Sequence, residues 1–195
     1  MCKATSSSGD GGTRIQTAHQ EEALVTQRLS TLLALFPLRP TTNHPAVLTP
    51  YLLLGSADHA KNVNLMKQLH VTVVLNCAEG EVGTGHYASL QAVGITCEGF
   101  SSSDTREYFM SQHFNDVLGI VRRVKSAGGV CFLHCVAGVN RSGFLAICLL
   151  CELEGLPLIQ SATHARECRG RVCTNVGFQQ QLLDLAVARH WPLCQ

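Results

Sequence analysis

Ten consecutive residues, His134-Cys135-Val136-Ala137-Gly138-Val139-Asn140-Arg141-Ser142-Gly143, place a nucleophile, an anion clamp and a tight turn side by side. The apolar run from Val130 to Leu133 before them reads as a buried strand, and Gly143 to Leu153 after them as a helix. A loop feeding a helix N-terminus points several free backbone N–H groups at one spot, and such a spot binds a tetrahedral oxyanion. Cys135 stands at its mouth, where the field that holds an oxyanion also stabilises a thiolate able to attack phosphorus. Arg141 lies six residues on, close enough for its guanidinium fork to fold over the same anion and grip two oxygens. Gly138 permits a positive φ and close backbone approach. The Ser142 hydroxyl can hydrogen-bond the cysteine sulfur and stabilise it as a leaving group. His134 is read as ordering the loop from behind, not as a base. Val136, Ala137, Gly138, Val139, Asn140 and Arg141 form the expected anion cradle. The competing reading is one more buried thiol on an ordinary strand-to-helix turn. His-Cys-x-x-Gly-x-x-Arg-Ser/Thr arises by chance in a chain of this size with a probability on the order of 10⁻⁵ to 10⁻⁴, which favours the chemical reading.

The elements that must position this loop alternate along the chain. Tyr51 to Leu54 reads as a short strand ending at Gly55, with Ser56 as N-cap of a helix running to about Leu69. Val71 to Asn76 is β-branched and apolar, as a buried parallel strand requires. Ala88 to Val93 is read as a helix, Gly94 to Cys97 as a strand, and Ser101 to Thr105 as a polar loop. Phe109 to Lys125 carries Phe114, Val117, Leu118, Val121 and Val124 on one stripe, the mark of an amphipathic helix that Ala127-Gly128-Gly129 ends. Helices over Ser161 to Cys168 and Gly177 to Ala188 complete an α/β layered domain. Residues 1–13 are rich in Ser and Gly and are read as a disordered tail, and 20–36 as a short helix with a ragged apolar stripe. Pro37, Pro40 and Pro45 then break the chain, so 1–44 is read as an N-terminal extension and a new unit begins near Pro45.

Composition narrows the function classes. The 195 residues leave room for one domain plus a tail. Charged residues are 15% and apolar residues 46%, which excludes a mostly disordered, self-repelling chain. A formal net charge of +1 argues against wholesale binding to nucleic acid or an anionic membrane. The longest apolar run, Phe144 to Leu150, is far short of the ~18–20 residues of a membrane span. The N-terminus lacks an apolar leader, so a soluble chain in the cytoplasm or nucleus is expected. The ten cysteines lie mostly in apolar segments and read as reduced, core-filling thiols. Cys148 and Cys151 make a C-x-x-C without a second ligand pair, so no metal is expected. Cys77 stands at the C-terminal end of the apolar strand over 71–76, and in an α/β sheet such strand ends surround the crevice where Cys135 also sits. It reads either as a small core residue or as a thiol able to trap an oxidised Cys135 as a disulfide.

The stretch His134 to Ser142 resembles the Cys-x5-Arg-Ser/Thr signature of the cysteine-dependent protein phosphatases, and its Ala137-Gly138 pair is similar to the dual-specificity phosphatases in particular. Tyr51-Leu-Leu-Leu-Gly-Ser-Ala57 resembles that family's opening strand and turn, and Val73-Val-Leu-Asn-Cys-Ala78 its next buried strand. Thr174-Asn175-Val176-Gly177-Phe178, with Gln181-Leu182, resembles the start of its last helix. The resemblance covers roughly residues 45–190 and implies a catalytic domain there, of a small type without a rhodanese-like domain. It implies a central mixed, mostly parallel sheet of about five strands flanked by helices on both faces. It also implies a protein phosphatase acting on phosphotyrosine and phosphoserine/phosphothreonine through a phosphocysteine, with a phosphoprotein substrate, no cofactor and no metal. The family keeps an acid in a loop about 31 residues before the cysteine, a position held here by Asp104, so Asp104 is the expected proton donor. Asn175 is an expected supporting residue, and some relatives in the superfamily carry a resolving cysteine where Cys77 stands. Asn140 departs from the usual Ser before the arginine and is similar to the RNA 5′-triphosphatase branch, while Thr174 and Gly170 replace usual prolines. An RNA 5′-phosphatase and a phosphate-binding pseudophosphatase are the alternatives. No basic side chain occupies the variable loop positions, which disfavours an inositide substrate.

Overall fold

The computed structural model describes residues 43–194 together with Ala23 and Gln27. The expected tail over 1–13 and, apart from those two residues, the expected helix over 20–36 lie outside the described residues. Five strands form one sheet: β1 (Ala46–Thr49), β2 (Leu52–Ser56), β3 (Val73–Asn76), β4 (Thr96–Gly99) and β5 (Cys131–Cys135). Their order is β1-β2-β5-β3-β4. The β1–β2 pair is antiparallel and every other pair is parallel, so the sheet is mixed and mostly parallel, as expected.

Alternation along the strands builds a core on each side of this sheet. Cys131, Leu133 and Cys135 of β5 face one core, together with Leu52 and Leu54 of β2 and Leu75 of β3. The intervening Phe132, Leu53 and Val74 face the other. This period of two is what the pleat dictates for a strand covered on both faces. Fully burying one such side chain, Phe132 for instance, contributes roughly 1.5–3 kcal/mol.

The larger core is roofed by α5 (Phe114–Ser126), α6 (Arg141–Glu154), α7 (Leu158–Arg169) and α8 (Val176–Ala188). In α6 every residue from Arg141 to Cys151 is buried, because β5, α5, α7 and α8 surround it. A helix apolar all round has no solvent face to spare. Trp191 packs edge-on against Phe114 with ring centroids 5.6 Å apart and closes this core near the C-terminus. The smaller core lies under the short helices α1 (Ala57–Lys61), α2 (Val63–Gln68) and α4 (Tyr87–Gln91). Among the described residues no helix is long and apolar enough to cross a membrane.

Several boundaries differ from the expectation. The single helix expected from Ser56 to Leu69 is broken at Asn62, whose side chain accepts from the Leu65 N–H at 3.0 Å and so starts a second helix. Strand β1, between Pro45 and Pro50, was not expected: four residues on a sheet edge leave little pattern. The turn α3 (Glu79–Val82) has no buried residue and so no apolar stripe to read. The strand expected at 94–97 lies at 96–99, because Gly94, at φ +84°, still belongs to the turn that closes α4.

Candidate active site

The parallel pairing of β2 with β5 brings Ser56 beside Cys135 at the C-terminal end of the sheet, where an open α/β sheet offers its crevice. The loop 136–140 then turns into α6. Gly138 sits at φ +67°, and a Cβ there would stand 2.2 Å from the Gly55 carbonyl oxygen, so backbone shape and space both exclude a side chain.

The loop carbonyls are all taken up by hydrogen bonds. That of Val136 accepts from the Ala57 N–H at 3.0 Å, that of Val139 from the Cys173 N–H at 2.8 Å, and that of Asn140 from the Phe144 N–H at 2.8 Å. Arg169, 1% exposed, donates to the carbonyls of Ala137 at 3.1 Å and Gly138 at 3.4 Å. His134 Nδ1 takes the Cys135 carbonyl at 3.2 Å. Every carbonyl of the loop is thus engaged, and the N–H groups of 136–140 have no partner among the described residues. Successive backbone N–H groups of this kind can hold an anion as a nest built by the peptide chain itself.

Cys135 is 2% exposed, and the Ser142 hydroxyl donates to its sulfur at 3.2 Å. Burial lowers the His134 pKa to about 4, so the imidazole is neutral near pH 7 and donates its Nδ1 hydrogen to the Cys135 carbonyl. Thiols buried in the core are pushed upward. Burial raises Cys77 and Cys148 well above the ordinary thiol range, and Cys131 and Cys173 to about 12. Cys148 and Cys151 both belong to the larger core.

Arg141, 3% exposed, is held by an acid that the sequence reading did not single out. Its Nη1 donates to Glu81 Oε1 at 2.7 Å and to the Ser102 carbonyl at 3.0 Å, and its Nη2 donates to Glu81 Oε2 at 3.3 Å. A guanidinium has five N–H donors. Three are thereby used, and the buried Nε–H has no partner among the described residues. Nε–H and the second Nη2–H lie along one edge, which is the edge that can grip two oxygens of a phosphate.

Asp104 lies at the opening of the same site. Its Oδ2 accepts from Asn140 Nδ2 at 3.0 Å and its Oδ1 from Asn175 Nδ2 at 2.9 Å. Asn175 also N-caps α8, its Oδ1 accepting from the Gly177 N–H at 3.0 Å. The loop carrying Asp104 is tied down nearby. The Ser102 hydroxyl donates to the Cys77 carbonyl, and Gln181 Nε2 donates to the Tyr108 carbonyl at 2.8 Å.

A cavity of about 360 Å³ unites Cys135, Arg141 and Asp104 with Val136, Ala137, Val139 and Asn140. Its wall also includes Glu81, Arg171 and Thr174, which the sequence reading left without a role. Glu81 lies 60 positions from Arg141, and no spacing rule links them. Thr174 opens the segment Thr174 to Phe178 and Arg171 lies three residues before it, and that placement was the one available signal. Cys77 is completely buried, on the same core face as Cys135, and its N–H donates to the His134 carbonyl at 2.8 Å.

Residues 52–187 match the family described as dual specificity phosphatase, catalytic domain. Human dual specificity protein phosphatase 26 is 31% identical over 152 residues, which are 77% of this chain and 71% of that protein. Rat dual specificity protein phosphatase 5 is 31% identical over 142 residues, 72% of this chain, and the chain spans only 35% of its length. The crystal structure of human DUSP28 superposes with a TM-score of 0.69 over 77% of this chain and 98% of its own, at 23% identity. That of DUSP15 gives 0.67 over 76% of this chain and 90% of its own, at 22% identity. These two likenesses bear on the fold, and the sequence matches carry the family. The chain belongs to the dual-specificity phosphatase family.

Proposed function

We propose that the chain is a protein phosphatase that hydrolyses phosphotyrosine and phosphoserine/phosphothreonine in cytoplasmic or nuclear phosphoproteins through a phosphocysteine intermediate. One observation carries the reading: Cys135, Arg141 and Asp104 line a single cavity beside the loop 136–140, whose backbone N–H groups have no partner among the described residues. The loop N–H groups and the free edge of Arg141 bind the phosphate oxygens. The Cys135 thiolate attacks phosphorus, and the bond to the leaving oxygen breaks as Asp104 gives that oxygen its proton. In the second step Asp104 takes a proton from water, the water oxygen attacks phosphorus, and the S–P bond breaks. Ser142 stabilises the departing thiolate with the hydrogen bond it already makes to the sulfur. Charge on the transferring group is carried by Arg141 and the loop dipoles. His134 and Asn175 support the site, one by fixing the Cys135 carbonyl and the other by holding Asp104.

The test is steady-state kinetics on phosphotyrosine and phosphothreonine peptides, with triphosphate-ended RNA as a third substrate, for the wild type and Cys135→Ser. Turnover of both peptides, absent in Cys135→Ser, is the expected result. Turnover confined to the RNA would replace the proposal with the RNA 5′-phosphatase reading, and no turnover of any of them with retained phosphate binding would indicate a pseudophosphatase. We further propose Cys77 as the resolving thiol for an oxidised Cys135.

A further inference from the structure

We propose that Asn140 is a positioning residue that, with Asn175, fixes the carboxyl group of Asp104 over the phosphate site, so that acid loop and phosphate loop are coupled by one side chain. The proposal rests on the reading of Asp104 as proton donor. It starts from a departure: position 140 usually holds Ser in this family, and a Ser hydroxyl ends one bond nearer the backbone than an Asn amide nitrogen.

The orientation of both amides is determined by what surrounds them. Asn140 Oδ1 accepts from the backbone N–H of Thr174 at 2.7 Å, from that of Asn175 at 3.1 Å, and from the Thr174 hydroxyl at 3.0 Å. Backbone N–H groups can only donate, so this atom must be the oxygen and Nδ2 must face Asp104. The same logic fixes Asn175, whose Oδ1 accepts from the N–H groups of Gly177 and Phe178. Two amide donors therefore converge on the two oxygens of one carboxyl group from different elements, Asn140 at the start of α6 and Asn175 at the start of α8.

This arrangement fixes the carboxyl plane of an exposed side chain that would otherwise rotate freely. Each carboxyl oxygen keeps a second lone-pair position, so the proton needed by the leaving group still has a place. The loop itself is anchored by other contacts: Arg141 holds the Ser102 carbonyl, and Tyr108 donates to the Ser101 carbonyl at 3.2 Å. The Asn140 side chain therefore acts on the aim of the acid, while the Asn140 contribution to the phosphate nest is its backbone N–H, which a substitution of the side chain leaves in place. A positioned general acid is worth 10²–10⁴-fold, and it matters most when the leaving group is an alkoxide.

The experiment compares a phosphothreonine peptide, which leaves as an alkoxide, with p-nitrophenyl phosphate, which needs little protonation. Asn140→Ser is expected to lower kcat on the peptide by about ten-fold and on p-nitrophenyl phosphate by less than about three-fold, a part of what a general acid contributes. Inhibition by inorganic phosphate should stay within about two-fold of wild type, because the nest is made of backbone and Arg141. Asn140→Asp keeps the acceptor for Thr174 and Asn175 but turns a carboxylate toward Asp104, so it should lose more on the peptide than Asn140→Ser. In the Asp104→Asn background, Asn140→Ser should cost nothing further on the peptide. Asp104→Asn alone separates the two ideas. An unchanged peptide-to-aryl ratio there removes the reading of Asp104 as the acid. A changed ratio there, with equal losses on both substrates in Asn140→Ser, overturns the coupling by Asn140 alone.

Discussion

Lysine in place of Arg141 would keep the positive charge and lose the planar fork, together with the end-on pairing to Glu81. Arg141→Lys is therefore expected to lower kcat/KM on p-nitrophenyl phosphate by at least about 10²-fold, the usual cost of a lost oxyanion donor. Turnover near wild type would show that a point charge suffices. Glu81 has a separate expected effect. Its carboxylate takes the Nη1–Nη2 end of the guanidinium, and the Nε–H has no partner among the described residues, so Glu81 is expected to aim the fork and not to compete with phosphate. Glu81→Ala should raise KM by about three- to ten-fold with a smaller change in kcat, as the loss of uniform binding requires. A fall in KM would mean that Glu81 blocks the site. Cys135, Gly138, Arg141 and Ser142 were legible in the sequence because one tight loop must present them, and the geometry of a tight loop is encoded in spacing. Glu81 was not, because it reaches Arg141 from a turn of a different βα unit, and only the folded sheet brings the two together.

The strands and helices convert such spacing into position, and glycines mark where two elements approach too closely for a side chain. A Cβ on Gly177 would stand 1.9 Å from the Arg106 carbonyl oxygen, two residues past Asp104. Gly177→Ala should therefore push the acid loop away from α8. The expected result is about 1–3 kcal/mol of lost stability by denaturant unfolding, as overpacking usually costs. Peptide turnover should fall more than turnover of p-nitrophenyl phosphate. The register of β3 and β5 bears on Cys77 in the same way. Asn76 pairs with His134, and the Cys77 N–H donates to the His134 carbonyl at 2.8 Å, so Cys77, the residue after β3, follows beside Cys135, the last residue of β5. Paired strands run about 4.8 Å apart, a spacing of the order that a disulfide spans. Peroxide would oxidise the Cys135 thiolate to sulfenic acid, releasing hydroxide. The Cys77 sulfur would then displace the sulfenic oxygen as water, forming the S–S bond. Burial holds the Cys77 thiol protonated, so disulfide formation should accelerate as pH rises. Peptide mapping after mild peroxide should find the Cys77–Cys135 link, and Cys77→Ser should lose activity irreversibly. No link at any pH would leave Cys77 as a core residue. Most element types were legible from periodicity, the amphipathic α5 above all. The break at Asn62 and the short α3 were not, because there a single side-chain cap or a turn without buried residues outweighs the pattern.

At the scale of the whole molecule, the two cores that clamp the sheet also set how the protein responds to acid. Cys135 faces the helical core, and alternation sends His134 to the opposite side, where its ring stacks near Phe132 with centroids 5.9 Å apart. His134 is completely buried, and its Nε2 has no hydrogen-bond partner among the described residues. Protonation would place a charge there without an acceptor for the new N–H. Burial accordingly depresses its pKa from 6.5 to about 4. The unfolded chain binds this proton at higher pH than the folded chain does. Stability is thus fully present above about pH 6.5 and is lost as pH falls toward 4. At pH 5 the loss from this one group comes to about 2 kcal/mol. Burial also lowers His59, His86 and His113, which act with the same sign, although each is less enclosed. Urea unfolding at pH 7.5 and pH 5 should therefore show a clear fall in stability at the lower pH. His134→Asn, which has no group that titrates in this range, should show a shallower fall even if it starts less stable. An equal fall in both proteins would mean that His134 is charged or hydrated in the folded state. The point matters for activity, because the residue that loosens in acid is covalently joined to Cys135, the proposed nucleophile. A loss of turnover below pH 6 that tracks the unfolding signal belongs to His134, and one that precedes it belongs to the groups inside the cavity.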